Sequence, residues 1–288
     1  MALPDTLAQE LGDLGFGEIR HARGVGGGSI NEAWQLTVAD GQRLFAKVHH
    51  APPPGFFEAE AQGLQALAAT NTLRVPKVIT VAPGYLVLEW LEGSPAEDYW
   101  TRFGQQLAAL HSHTSDRFGF SGDNFCGLTP QPNPPTGNGH EFFAEARLMH
   151  QGRLARDRNL LDNEDIYRLE AIARRLPEWL PVQPASLIHG DLWQGNAHCG
   201  PSGEPVLVDP AAHYGWHEAE LAMTRLFGAF PDRFYLAYEE HSGCNPHWQD
   251  RSDLYNLYHL LNHLNLFGGG YLNPVRAILR QYGDSSER

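Results

Sequence analysis

The spacing of apolar residues along the chain changes near residue 91. Before that point, a short amphipathic helix over residues 3–14 is predicted by four leucines at helical intervals, Leu3, Leu7, Leu11 and Leu14. Alternating apolar and polar positions then predict five strands, over residues 18–23, 33–38, 43–49, 75–81 and 85–91. Asp40-Gly41 is a hairpin signal between the second and third strands, and one helix is predicted over 57–69. This part of the chain favours a small antiparallel sheet with one main helix.

After residue 91 the apolar positions recur mostly at helical spacing. Seven helices are predicted, over residues 95–113, 141–155, 164–180, 218–227, 230–240, 253–267 and 274–281. The rest is expected to be loop, including the long segment 118–138, apart from two short strands at 186–188 and 205–210. The change in pattern predicts an α+β protein with two lobes, a β-rich N-terminal lobe over 1–91 and a larger, mainly helical C-terminal lobe over 92–288.

Polar residues typical of phosphoryl transfer follow the two short apolar segments of this helical part. The first segment leads into His189-Gly190-Asp191-Leu192-Trp193-Gln194-Gly195-Asn196, and the second leads to Asp209. At this spacing Asp191 can accept the proton of an attacking hydroxyl, while Asn196 and Asp209 hold Mg2+ against a nucleoside triphosphate. His189 is interpreted as a scaffold that fixes the loop through backbone hydrogen bonds. The motif predicts a small-molecule kinase that uses ATP and Mg2+.

A glycine-rich segment in the N-terminal part is suited to cover the phosphates of that nucleotide. It lies between two predicted strands and includes Gly26, Gly27, Gly28 and Ser29. Glycines allow backbone N–H groups to approach phosphate oxygens closely, and Lys47 on the third strand can neutralise their charge. Because no helix follows the segment, neither a Walker loop nor a Rossmann fingerprint fits it.

Two further features of the N-terminal part belong to the same arrangement. Glu58 and Glu60 lie in the first turn of the predicted helix, where either carboxylate suits the helix dipole. Glu60 is preferred as the partner that orients Lys47. The end of the fifth strand, Leu88–Leu91, is the predicted connector between the lobes, and its backbone at Glu89 and Leu91 is expected to hydrogen-bond an adenine. Together these features predict a protein-kinase-like fold.

Charge and cysteine content narrow the class of protein. The 288 residues carry a net charge of −13, which disfavours a nucleic-acid partner because such proteins present a basic face. The three cysteines, Cys126, Cys199 and Cys244, lie far apart and are expected to be reduced thiols. Neither a signal peptide nor an apolar run of about 18 residues is present, so a cytoplasmic protein without a membrane partner is expected.

Two other classes of function are open at this point. Four histidines, His189, His198, His213 and His217, lie near two aspartates and raise the alternative of a metal hydrolase. No HExxH motif supports it, and a hydrolase leaves the glycine-rich segment without a role; a serine hydrolase lacks its G-x-S-x-G motif. The other alternative is a non-catalytic nucleotide-binding module, although the complete set of catalytic residues argues against it.

Longer motifs give the chain a resemblance to one family. They are Gly26–Glu32, Phe45–Val48, Phe57–Glu60, Asp123–Phe125, Thr129–Gln131, His189–Asn196, Val208–Ala211, Tyr214-Gly215, Glu220–Ala222, Phe230-Pro231 and Asn262–Asn265. With this set the chain resembles the fructosamine-3-kinase (ketosamine kinase) family, which is close to the aminoglycoside and choline kinases. The resemblance covers about residues 20–270, and its specific part is the HGDLWxGN string with its D-P-A partner.

The resemblance implies an ATP-dependent kinase that phosphorylates the 3-hydroxyl of ketosamines, as small molecules or as glycated lysine on proteins, and so repairs glycated protein. It assigns the base to Asp191, the magnesium ligands to Asn196 and Asp209, and phosphate positioning to Lys47 and Glu60. It does not decide between fructosamines and ribulosamines, erythrulosamines or psicosamines. The alternative is another small acceptor alcohol, of the aminoglycoside, choline or homoserine type. A monomer is expected.

The resemblance also implies a sugar pocket and shows two departures from the family pattern. The pocket is expected to be lined by Trp193, His213, Trp216 and His217. Ser29 stands where some members have a cysteine, so redox switching through that loop is not expected. Gln194 stands where a serine is frequent in the family.

Overall fold

The structure is a computed structural model that describes residues 3–26, 30–244 and 246–284. Its first part contains a sheet of five strands, β1 (Ile19–Val25), β2 (Glu32–Val38), β3 (Arg43–Val48), β4 (Val78–Ala82) and β5 (Tyr85–Glu89). The strands follow the order β1-β2-β3-β5-β4, and every neighbouring pair is antiparallel. Two helices accompany the sheet, α1 (Asp5–Asp13) and α2 (Phe56–Ala69). The elements predicted before residue 91 are confirmed, with ends that differ by up to three residues.

Alternation along the strands decides which side chains face the rest of the protein. Leu44 and Ala46 of β3 share an apolar cluster with Leu7 of α1 on one face of the sheet. Because successive side chains of a strand point to opposite faces, Lys47 points to the other face, where α2 lies.

The described residues after β5 contain eight α-helices. They are α3 (Tyr99–His111), α4 (Gly139–Glu141), α5 (His150–Asp157), α6 (Asn163–Trp179), α7 (His217–Leu226), α8 (Asp232–Ser242), α9 (Ser252–Phe267) and α10 (Leu272–Gly283). The helix predicted over 141–155 is one continuous run, in which the π-helical segment Phe142–Met149 joins α4 to α5. Each predicted helix is confirmed, and short 3-10 segments occur at Gln194–Asn196, Pro246–Arg251 and Gly269–Tyr271.

Short strands connect these helices where sequence analysis predicted mostly loop. They are β6 (Thr114–Ser115), β7 (Asn124–Cys126), β8 (Thr129–Gln131), β9 (Ala185–Ile188), β10 (Ala197–Cys199), β11 (Pro205–Leu207) and β12 (His213–Gly215). β7 and β8 form a hairpin within the segment 118–138, and β12 pairs with β9. The prediction of loop is therefore wrong for residues 124–126, 129–131 and 213–215. Strands of two to four residues are too short to show an alternation of apolar and polar positions.

One apolar cluster joins the sheet to the helices. Phe57 and Leu64 of α2 belong to it together with Phe103 of α3 and Phe234 of α8. Helices α3 and α8 approach closely at Gly104, where a Cβ atom would lie 2.3 Å from the Phe234 carbonyl oxygen. Since the cluster continues across residue 91, the division into two lobes at that point stays a prediction. In the described ranges, no helix is both long and apolar enough to cross a membrane.

Candidate active site

A cleft of about 820 Å³ lies between the sheet and the helical part of the chain. It is lined by side chains from β3, α2 and the segment after β5 on one side, and from the loops after β9 and β11 on the other. The cleft brings together most of the residues singled out from sequence, which are Lys47, Glu60, Asp191, Trp193, Asn196 and Asp209.

Lys47 bridges helix α2 and the aspartate that follows β11. Its Nζ lies 2.6 Å from Glu60 Oε1 and 2.6 Å from Asp209 Oδ1, and the residue is 5% exposed. Burial alone would lower the pKa of this ammonium group, but the charges of Asp209 and Glu60 raise it above its usual value. Lys47 is therefore held as a cation, and Glu60, rather than Glu58, is its partner on α2.

The loop after β9 depends on a glycine. Gly190 has φ 85°, in the left-handed region, and a Cβ atom there would lie 2.2 Å from the Ala211 carbonyl oxygen. His189 Nε2 is 2.8 Å from the Val208 carbonyl oxygen, and its Nδ1 is 3.3 Å from the backbone nitrogen of Asp191. The interpretation of His189 as a scaffold is confirmed, because both ring nitrogens contact backbone atoms and tie the two loops together.

Glu220 on α7 holds this loop by accepting hydrogen bonds from its backbone, and sequence analysis gave this residue no role. Its Oε1 accepts the Gly190 N–H at 2.7 Å and its Oε2 accepts the His189 N–H at 3.1 Å. His111 Nε2 lies 2.8 Å from Glu220 Oε2, and the carboxylate is fully buried. The sequence signals were its place in the Glu220–Ala222 motif of the family resemblance and its position among apolar residues on α7. Glu220 acts on the site by positioning the backbone of Gly190.

We expect Glu220→Gln to lower the free energy of unfolding by about 1–3 kcal/mol, since an amide offers one accepting oxygen to two buried N–H groups. Chemical denaturation measures this change. Glu240→Gln, an exposed carboxylate on α8, is the matched control and should change stability by less than about 0.5 kcal/mol. Equal stability of the two variants would show that the contacts of Glu220 with the loop contribute nothing.

The Asp191 carboxylate is only partly engaged by neighbouring groups. Asn196 Nδ2 donates to the Asp191 carbonyl oxygen at 2.8 Å and contacts its Oδ2 at 3.3 Å. The other oxygen, Oδ1, is buried and has no hydrogen-bond partner among the described residues. Burial, together with the charge of Asp209, raises the pKa of Asp191 to about 8. A cation bound beside Asp209 would offset that charge and favour the ionised form that a base requires.

Asn196 and Asp209 offer oxygen atoms that suit a hard cation. Both hydrogen bonds of the Asn196 side chain use its nitrogen, which leaves its carbonyl oxygen for a metal. Lys47 contacts Oδ1 of Asp209, whose side chain is 49% exposed in the cleft. Asp209 has φ 57°, a conformation that aspartate tolerates better than most residues and that turns the chain after β11. The pair fits Mg2+, which binds through one or two carboxylates together with phosphate and water oxygens.

Side chains contact both residues that were predicted to bind the nucleotide, Glu89 at the end of β5 and Leu91 in the segment that follows it. Arg74 Nη2 donates to Glu89 Oε1 at 2.7 Å, so this carboxylate is already paired. His198 Nε2 lies 2.9 Å from the Leu91 carbonyl oxygen. Both Glu89 and Leu91 line the cleft, and their role in binding an adenine through the backbone stays a prediction.

The turn between β1 and β2 is described only at its ends. Gly26 lines the cleft, as do Val25 and Ile30 on either side. The predictions for Gly27, Gly28 and Ser29 lie outside the described residues.

Trp193 lies at the mouth of the cleft, next to the predicted base. Its side chain is 38% exposed, and its ring centroid lies 6.2 Å from that of Phe227, which also lines the cleft. A Cβ atom at Gly195 would lie 2.4 Å from the Trp193 ring, so this glycine allows the indole to fold over the loop. The placement of Trp193 is compatible with the substrate contact predicted for it.

The structure corrects the placement of the other three residues assigned to the sugar pocket. Trp216 is 3% exposed and packs in the helical core, with Phe118 and Phe143 as neighbours. His213 is buried with its Nδ1 2.9 Å from the Ala211 carbonyl oxygen, and His217 faces Cys244 at 3.7 Å. None of the three is among the residues that line the cleft.

Comparison with known proteins places this geometry among kinases of one family. The family model described as fructosamine kinase matches residues 5–284. A probable ketoamine kinase from Synechocystis is 47% identical over 285 residues, which cover 96% of this chain and 95% of that protein. A chloroplastic protein-ribulosamine 3-kinase from Arabidopsis thaliana is 37% identical over 269 residues, with 90% of this chain and 81% of that protein covered.

A solved structure agrees with the fold as well as with the sequence. The crystal structure of a protein from Thermobifida fusca, provisionally named a fructosamine-3-kinase, superposes with a TM-score of 0.86 at 34% identity. The similarity covers 96% of this chain and 100% of that one. The prediction of a protein-kinase-like α+β fold is confirmed.

Proposed function

Since the chain belongs to the fructosamine kinase family, we propose that it is an ATP-dependent phosphotransferase that phosphorylates the 3-hydroxyl of ketosamines. The observation that carries the proposal is that one cleft holds groups for both substrates. The Asp191 carboxylate is placed for the acceptor hydroxyl, and Lys47, bonded to Glu60 and Asp209, is placed for the nucleotide. Names of relatives that share a third or more of the sequence support the ketosamine as acceptor. Phosphorylation of such adducts serves the removal of glycation from amines and proteins.

Asp191 is the proposed general base. It takes the proton of the acceptor hydroxyl as the oxygen of that hydroxyl bonds to the γ-phosphorus and the bond to the bridging oxygen breaks, which releases ADP. The unpartnered Oδ1 of Asp191 is the atom available to accept this proton. Asn196 holds the loop in shape through the Asp191 carbonyl oxygen.

Lys47, Asn196 and Asp209 are the proposed nucleotide-side residues. Lys47 is a buried cation whose two carboxylate partners keep it charged and pointed into the cleft. Asn196 and Asp209 would hold Mg2+, which when bound neutralises charge on the transferring phosphoryl group. Gly26 and the residues after it would cover the phosphates, and the backbone near Leu91 would bind the base.

The test of the proposed function is a panel of acceptors in an ADP-release assay. We expect kcat/KM for fructose-lysine or ribulose-lysine to exceed that for kanamycin, choline or homoserine by at least about a hundredfold, because a site built for one set of hydroxyls rejects others. Comparison of the two ketosamines then identifies the preferred sugar, and phosphorus NMR of the product locates the phosphate. Faster turnover of kanamycin, choline or homoserine than of both ketosamines would refute the assignment of the acceptor.

A further inference from the structure

Beside Asp191 lie two residues for which the proposed reaction has no use, Cys126 and His259. Cys126 ends β7 and His259 is in the middle of α9, so three separate elements converge here. One donor atom from each of Cys126, Asp191 and His259 lies within 4.8 Å of the others. A thiol, a carboxylate and an imidazole are the three side chains that bind zinc in proteins.

Two atoms of this cluster are buried without a hydrogen-bond partner among the described residues. They are Asp191 Oδ1 and His259 Nδ1, which face each other at 3.9 Å. His259 is 5% exposed, so its nitrogen is shielded from solvent. Leaving such atoms unpaired is unfavourable, and a shared ligand between them would offset this cost. The unpaired atoms therefore point to a ligand independently of the residue types.

The cysteine of the cluster is buried and held in place by a neighbouring side chain. The Cys126 thiol is 2% exposed, and Asn262 Nδ2 lies 3.2 Å from its sulfur, which fixes the side chain toward the cluster.

The distances fit a small cation after a modest contraction. Ligand atoms at about 2.0–2.3 Å from zinc lie about 3.3–3.8 Å from one another in a tetrahedron. The donor atoms lie within 4.8 Å of one another, and Asp191 Oδ1 is 3.9 Å from His259 Nδ1, so movements of about 1 Å or less bring them to these distances. Cys126 and Asp191 both line the cleft, so an ion can enter from the nucleotide side and keep a fourth, open position.

We propose that Cys126, Asp191 and His259 form an inhibitory site for a zinc-type divalent cation. On binding, the S–H bond of Cys126 breaks, a sulfur–metal bond forms and the proton leaves to solvent. The metal occupies the Asp191 oxygen that would accept the hydroxyl proton, and phosphoryl transfer stops. Mg2+ does not compete, since it prefers oxygen ligands and the sulfur–nitrogen pair selects softer ions.

A second cluster of possible ligands is less suited to the same role. His217, Glu218 and Cys244 also lie within 4.8 Å of one another. However, Arg251 already donates to both carboxylate oxygens of Glu218, at 2.9 and 2.7 Å, and Tyr255 donates to one of them. This second cluster serves as the internal comparison for the test.

The binding test uses Cd2+ as a spectroscopic probe of thiolate coordination, with the full-length protein in excess Mg2+. We expect about one Cd2+ per chain, with ultraviolet charge-transfer absorption from a sulfur–cadmium bond. Cys126→Ser should abolish this absorption, whereas Cys199→Ser and Cys244→Ser should retain it. His259→Ala should weaken Cd2+ binding at least about tenfold. Circular dichroism checks that each variant is folded. The proposal is overturned if Cys126→Ser retains the signal or if Cys244→Ser removes it.

The activity test rests on the proposed function, but the binding test does not. Under saturating Mg2+ and ATP, we expect Zn2+ to inhibit ketosamine phosphorylation by at least about tenfold, and excess acceptor to relieve the inhibition. Cys244→Ser should be inhibited like the unmodified protein, which makes it the matched control. If Mg2+ relieves the inhibition, the ion acts at Asn196 and Asp209 and the proposal fails. If no acceptor is phosphorylated, the proposed function fails and the Cd2+ result still decides the site.

Discussion

Asp191→Asn should lower ketosamine turnover by about 10²- to 10⁴-fold while leaving ATP affinity close to its original value. The variant keeps the size of the side chain and the backbone carbonyl that Asn196 holds at 2.8 Å. It removes the proton acceptor, and proton transfer by a positioned base contributes an acceleration of this order. Single-turnover phosphoryl transfer and calorimetric titration with ATP and Mg2+ measure the two quantities.

A suitable control for this variant is Asp116→Asn, which changes an exposed carboxylate outside the cleft. It should retain full turnover. If Asp191→Asn also kept turnover within about threefold of the original protein, Asp191 would not be the base, because a missing proton acceptor costs far more. Loss of ATP binding in the same variant would instead mean that the loop had lost its structure.

Asp209→Asn should remove most of the dependence of nucleotide binding on Mg2+. In the structure Asp209 is the carboxylate that faces both Lys47 and the space beside Asn196. Without its charge the metal loses its anionic ligand, and the stabilisation that a metal gives to the transferring group falls by about 4 kcal/mol. Turnover should therefore drop by about 10³-fold.

The diagnostic measurement for Asp209→Asn is ATP affinity with Mg2+ and with a chelator. In the original protein Mg2+ should strengthen ATP binding, and in the variant this gain should shrink at least about tenfold. Affinity without metal should stay the same or improve, because a negative charge next to the triphosphate has been removed. An unchanged response to Mg2+ would assign the metal to other residues. Asp116→Asn again serves as the control.

The contact between Lys47 and Asp209 bears on how a nucleotide enters the cleft. The two residues come from opposite sides of the cleft and are 2.6 Å apart. In the proposed reaction, a nucleotide with its metal would place new charges between them, and this contact would lengthen or be shared with phosphate oxygens. Glu60 keeps Lys47 charged and oriented in the meantime, since its own contact of 2.6 Å lies on the side of α2.

Sequence alone was sufficient to find the candidate motif, whose catalytic role stays a prediction, and the elements that carry it. Asp191, Asn196 and Asp209 follow one another at a spacing set by a short loop and a hairpin. Local geometry of this kind depends on neighbouring residues and can therefore be predicted from sequence. Alternation along β3 likewise predicted a strand with Lys47 on it, because the period of two is a local property. Glu60 was preferred over Glu58 by analogy, and the structure agrees.

Tertiary structure alone decided the surroundings of the motif. Glu220 reaches Gly190 from 30 residues away, and His259 meets Asp191 across a larger distance in sequence. The family resemblance assigned Trp216 to the sugar pocket, yet it is buried in the helical core. Periodicity shows that a side chain has a buried face but not which element covers it. That choice depends on contacts between distant segments, which form only when the whole chain packs.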